Sequence, residues 1–254
     1  MSDVLFMITN AGAAGYENAH RAAQRFMLFE GGYLFVSILA VAAMIFAMVC
    51  SARVKSTFNK YSTTYNRKHL TAWQVARQIL DNNGLYDVSV VHISGNLTDN
   101  FNPKTKVVSL SDSVYDSSSL AAIGVAAHEC GHAIQHARGY TPIKIRSAFV
   151  PIVQIGSRTY IWIFLLGLLL NNSLLANVGI ILFAFVVIFQ LVTLPVEFNA
   201  SSRALKTLSD QLILDSDELA PAKKTLSAAA MTYVASLLVS VTQLLKLLVR
   251  SRRR

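Results

Sequence analysis

Residues 31–50 read GGYLFVSILAVAAMIFAMVC, twenty consecutive positions without a charge. As a helix rising about 1.5 Å per residue, such a run matches a hydrocarbon core roughly 30 Å thick. It starts too far into the chain, and is too long, to read as a simple signal peptide. Two more apolar runs, 159–170 and 174–194, are joined by Asn171-Asn172-Ser173 and predict a tight transmembrane hairpin. A fourth run, 228–249, is long enough to span but carries a polar stripe. The whole chain agrees: 53% of its residues are hydrophobic and only 15% charged, where a soluble domain carries about a quarter. The expected class is mainly α, with multi-pass membrane helices around a small α+β insert.

Positive charge orients the segments. Residues 51–147 hold 11 Lys and Arg, and 195–226 hold Arg203, Lys206, Lys223 and Lys224. The turn near Asn171 has none, and residues 1–30 have Arg21 and Arg25. The excess of positive charge predicts that 51–147 and 195–226 face the cytoplasm and 1–30 lies outside. The expected order is an outer segment 1–30, a span at 31–50, a cytoplasmic segment 51–147, a membrane hairpin 148–194, a cytoplasmic helical region 195–226, and a last membrane helix with a basic tail, 227–254. The tail runs against this scheme, because Arg250, Arg252, Arg253 and Arg254 would lie outside if 228–249 spans. The net charge of +9 is explained by anionic headgroups rather than nucleic acid, since no aromatic-basic nucleic-acid motif is present.

Within the cytoplasmic segment, 71–80 (TAWQVARQIL) has helical spacing and 81–84 (DNNG) a stop. Residues 87–93 (DVSVVHI) alternate as a strand, 94–103 read as loop, and 106–110 (KVVSL) as a second strand. Ser117, Ser118 and Ser119 can cap a helix over 120–137.

That helix carries His128-Glu129-Cys130-Gly131-His132. Residues four apart share a helical face, so His128 and His132 can grip one metal ion, with Glu129 placed to accept a proton from an attacking water. Cys130 points away, and two cysteines make no disulfide framework. A catalytic zinc usually has a third protein ligand and an open position. His136 lies eight residues past His128, about 12 Å along the axis, too far to share the ion. Glu17 and Glu30 fall across the first membrane helix. Glu197 and Glu218 remain. Glu218 sits in a polar stretch that reads as a solvated loop. Glu197 ends an apolar run, where an unpaired carboxylate is costly.

Four stretches carry a family resemblance: 97–99 (LTD) with Pro103, 125–136 (VAAHECGHAIQH), 193–201 (TLPVEFNAS) and 228–235 (AAAMTYVA). Over about 54–248 the chain resembles the YugP-like membrane zinc metallopeptidases of bacteria, and more distantly the HtpX and CAAX-type membrane proteases. The resemblance implies a gluzincin-type zinc site on His128, His132 and Glu197, with Glu129 as the catalytic base. It also implies residence in the bacterial inner membrane, a protein or peptide substrate, contact with the bilayer and membrane partner proteins. Asn199 stands where Asp is expected two residues after the ligand Glu; it can accept a hydrogen bond from a ligand His but adds no charge. A donor for the developing oxyanion is needed besides zinc, with His136, Tyr140, Arg203 and His92 as candidates. The edge of strand 106–110 offers pairing to an extended substrate. The competing reading is a non-catalytic membrane assembly factor with a structural zinc site, which would show a fourth ligand. On the last helix, Ala228, Thr232, Ser236 and Ser240 predict a packing face, with Leu237, Val241 and Leu248 turned to lipid.

Overall fold

The computed structural model describes the backbone of residues 2–251 and the side chains of residues 31–251. Six helices and three strands follow in the order α1 (Ser2–Tyr61), α2 (Ala72–Asn82), β1 (Ser89–Ile93), β2 (Asn100–Asn102), β3 (Val107–Ser111), α3 (Leu120–Ala137), α4 (Thr141–Leu169), α5 (Ser173–Asp210) and α6 (Leu219–Ser251). Among the described residues, four stretches are long and apolar enough to cross a membrane: Gly31–Tyr61, Thr141–Leu169, Ser173–Asp210 and Leu219–Ser251. Much of their apolar surface is bare. Phe35, Ile38 and Met48 on α1 and Trp162 and Leu169 on α4 are exposed, a belt that suits lipid and not water.

The long helices stand in a row, α1 against α6, α6 against α5, α5 against α4. The α4–α5 turn is short because glycines let the two helices close: a Cβ on Gly179 would sit 2.8–2.9 Å from Phe164 and from the Tyr160 carbonyl, and one on Gly167 would strike the Ala176 backbone. Asn172 caps α5, accepting from Leu175 N at 3.1 Å. Phe164, Phe183, Val186 and Leu247 form the core of this layer.

Helices run further than the apolar runs alone suggest. α1 continues past Cys50 to Tyr61; α4 begins at Thr141, inside the segment assigned to the insert; α5 carries through 195–210 unbroken despite Pro195. Both flanks of α6 are occupied, so Leu237 and Val241 pack against the Phe183 cluster and do not face lipid. Ala228 and Ser240 are buried as the small-residue stripe predicts, and Leu248 is exposed.

The insert packs beside this row. Thr71 caps α2 through a reciprocal pair with Gln74, and Gly84, at φ +74°, ends it. The sheet has three strands in the order β1-β3-β2, with β1 parallel and β2 antiparallel to β3. β2 lies in the stretch expected to be loop. It places β3 in the centre, so β3 has no free edge for a substrate; β2 does. Ser119 caps α3 by accepting from Ala122 N at 3.2 Å. α3 is nearly all buried, with α2 on one side and α5 and α6 on the other. Ile79, Val108, Leu110, Ile123 and Leu208 fill the core around it.

Glu218 is not solvated. It is buried, and its two oxygens accept from Arg67 N at 2.8 Å and Asp215 N at 2.9 Å. The nearby Arg67 guanidinium pairs with Asp215 and Asp217 at 2.7 and 2.6 Å. Glu218 therefore closes a turn at the entry to α6 and is spent there.

Candidate metal centre

One face of α3 meets one face of α5 at Gly131. A Cβ at 131 would lie 2.6 Å from the Ala200 carbonyl oxygen and 3.2–3.3 Å from Ala200 C and Cα. The missing side chain lets the helices approach, and Glu197, one turn before Ala200, reaches the histidines. Nε2 of His128 lies 3.2 Å and Nε2 of His132 3.4 Å from the same oxygen, Glu197 Oε2. The rings sit edge to face, with centroids 4.7 Å apart. One ligand atom from each of the three residues falls within 4.8 Å of the others, so the group could hold a metal ion. Among the described residues no fourth His, Cys, Asp or Glu joins it.

The outward nitrogens are held in place. His128 Nδ1 is 3.1 Å from Ser201 Oγ, and His132 Nδ1 is 3.0 Å from Gln135 Oε1. Gln135 in turn donates to the Val196 carbonyl at 2.8 Å and to Asn199 Oδ1 at 3.0 Å. With Nδ1 engaged behind, each ring presents Nε2 to the cluster, which fixes ring orientation as metal-binding histidines require. For Gln135 Oε1 to accept, His132 must carry its proton on Nδ1, leaving a lone pair on Nε2 for a metal. Two imidazole nitrogens and one carboxylate form a donor set suited to zinc.

Glu197 is almost fully buried. Its other oxygen lies 3.4 Å from Arg146 Nη1, and Tyr233 lines the same cavity. Glu129 is buried beside the histidines; burial pushes its carboxyl up, while His128 and His132 pull the other way. Asp99 shares the site. Its carboxylate accepts from Ser111 N at 2.7 Å and from Ser111 Oγ at 3.0–3.1 Å. Burial raises its pKa against those bonds. Cys130 faces α2, its thiol 3.6 Å from the Ala76 carbonyl, and burial pushes it up too.

A cavity of about 620 Å³ opens on the cluster between β2 and α4, lined by His128, Glu129, His132, Arg146, Glu197 and Tyr233 among others. The oxyanion candidates named from sequence are not among its lining residues. His136 is exposed and lies against Phe101. Arg203 donates to Asn199 at 2.7 Å and stacks over Tyr140. His92 pairs with Asp112 at 2.7 Å, out on the sheet. Asn199 acts on His132 only through Gln135. Arg146, Tyr233, Ser201 and Gln135 are the neighbours that sequence reading missed. Gln135 and Ser201 had a local signal, standing one turn after His132 and after Glu197.

The two histidines of a helix-borne HExxH thus meet a glutamate from a later helix. The chain belongs to a zinc metallopeptidase family, described as "Putative neutral zinc metallopeptidase", which matches residues 36–252. It is 45% identical over 213 residues to "Putative membrane protease YugP" of Bacillus subtilis (strain 168), a match covering 84% of this chain and 94% of that protein. No solved structure matches.

Proposed function

We propose that this protein is a zinc-dependent endopeptidase of the bacterial inner membrane, with its site on the cytoplasmic side. The observation that carries the reading is the convergence of His128, His132 and Glu197, each histidine held from behind, with buried Glu129 beside them and no fourth ligand among the described residues. His128 Nε2, His132 Nε2 and the Glu197 carboxylate would hold the zinc. When bound, zinc supplies Lewis acidity, polarising a carbonyl and making water acidic near neutral pH. Glu129 accepts the proton of the attacking water and delivers it to the leaving amine nitrogen. Its burial favours the protonated form it adopts midway. Arg146 and Tyr233 supply the donors for the developing oxyanion from the cavity wall, in place of the candidates named from sequence. The outer edge of β2, along the same cavity, gives an extended peptide a strand to pair with. Space on both sides of the cluster suits cleavage within a chain rather than at its end.

Protein purified in detergent should hydrolyse casein, lose that activity to a chelator and regain it with one equivalent of zinc. Turnover that ignores chelation would overturn the reading. Firm zinc binding with no turnover on an unbiased peptide library would instead favour an assembly factor.

For the orientation, reporter fusions near Asn83 and Asp210 should report the cytoplasm and one near Asn172 the outside. A cytoplasmic signal at Asn172 would reverse it.

A further inference from the structure

Behind His128 and Glu129, on the side away from β2 and α4, lies a smaller cavity of about 190 Å³ between α1, α3 and α6. Its far wall is apolar: Val54 and Phe58 from α1, Val125 from α3, and Leu226, Ala229 and Ala230 from α6. It shares Asp99, His128, Glu129, Glu197 and Tyr233 with the larger cavity. On its other side it shares Val54, Leu97, Ala229 and Tyr233 with a space of about 400 Å³ that opens between Ser51, Lys55, Asn59 and Asn96. The three spaces therefore line up past the cluster, with the apolar chamber in the middle.

Size and chemistry select what enters the chamber. An apolar cavity of about 150 Å³ elsewhere suffices for a benzene ring, so this one takes a leucine or phenylalanine side chain. Its polar groups away from the cluster are already engaged. Asp99 accepts from Ser111, Ser201 Oγ holds His128 Nδ1, and the Thr225 hydroxyl donates to the Pro221 carbonyl at 3.1 Å. A polar or charged side chain entering here would lose water and find no free partner on the apolar wall, which is costly.

We infer that this chamber is a specificity subsite receiving one aliphatic or aromatic side chain from the residue beside the cleaved bond. The substrates are then polypeptides cut next to Leu-, Met- or Phe-like residues. The inference rests on the peptidase reading. Ala229 and Val54 set the chamber's size: each lines both it and the outer space, and neither is fully buried.

The test is a competition among peptides that differ only at the positions flanking the bond, digested together by zinc-loaded, full-length protein. Ratios of cleavage rates within one mixture do not depend on how much protein is folded. The wild type should cut Leu and Phe peptides at least about tenfold faster than Ser, Asp or Lys peptides, the scale on which an apolar pocket discriminates. Ala229→Leu should shift the ratio about tenfold toward Ala and Val; Val54→Ala should shift it toward Phe. If one variant fails to fold, the other and the wild-type profile still decide. Cleavage without preference, preference for a charged residue, or a profile unchanged in the folded variants would overturn the subsite alone. No cleavage of any peptide by the wild type would overturn the peptidase reading and the subsite with it.

Discussion

Glu129→Gln is expected to keep its zinc and lose about 10²–10⁴-fold in turnover, the usual worth of a positioned proton-transfer group. Gln has nearly the same shape, so the packing of α3 should survive. It cannot accept the proton of the attacking water, and it has none to give to the leaving amine. Burial already shifts Glu129 toward its neutral form, so a neutral amide there should not disturb folding. Metal content by mass spectrometry, set beside casein hydrolysis, reads both halves. Turnover near the wild-type level would remove Glu129 from the chemistry. Loss of zinc along with activity would mean that the residue holds the cluster together instead.

Gly131→Val should empty the centre without touching a ligand. In an exposed helix, replacing Gly gains a fraction of a kcal/mol, up to roughly 1 for Ala. Here the new Cβ would meet the Ala200 carbonyl at 2.6 Å. That neighbour is backbone of a packed helix and cannot swing aside, and overpacking of this kind costs about 1–3 kcal/mol. The clash wins, and α5 must retreat from α3. Because Glu197 rides on α5 one turn before Ala200, it should be drawn away from both histidines. A lower melting temperature and substoichiometric zinc are the expected readings. Unchanged stability with a full complement of zinc would show that the close approach is not what seats Glu197.

What could be read from sequence followed physical locality. Ser119 stands three residues before the backbone N–H it accepts from, so that cap was legible and it formed, while Thr71, read as the first residue of a helix, turns out to cap it. The apolar runs announced four long helices. Their ends were not announced, because α1 and α4 continue into polar sequence that is held by packing and not by hydrophobic pattern. Asn100-Phe101-Asn102 has too few residues and too little alternation to read as a strand; it becomes one because Val107–Ser111 offers a partner edge. Glu218 reads as surface in Asp215-Ser216-Asp217-Glu218, yet backbone N–H groups of Arg67 and Asp215 bury it. His128, Glu129 and His132 could be picked out from their motif, while elimination left Glu197 beside Glu218 and the family resemblance named Glu197. Arg146 and Tyr233 reach the same spot from α4 and α6, and no spacing rule brings such distances together, whereas Ser201 shares a face of α5 with Glu197 one turn earlier.

The approach of α5 to α3 also has a consequence for biosynthesis. His128 and Glu197 are 69 residues apart in the chain, and the whole α4–α5 turn is made between them. A partly synthesised chain carries HExxH without its third ligand, and the grip on zinc is complete only once both hydrophobic arms have inserted and α5 has docked. On the proposed reading, the nascent enzyme is latent: destructive chemistry is withheld until the molecule is seated in the bilayer, where a bound ion would tie the two halves together.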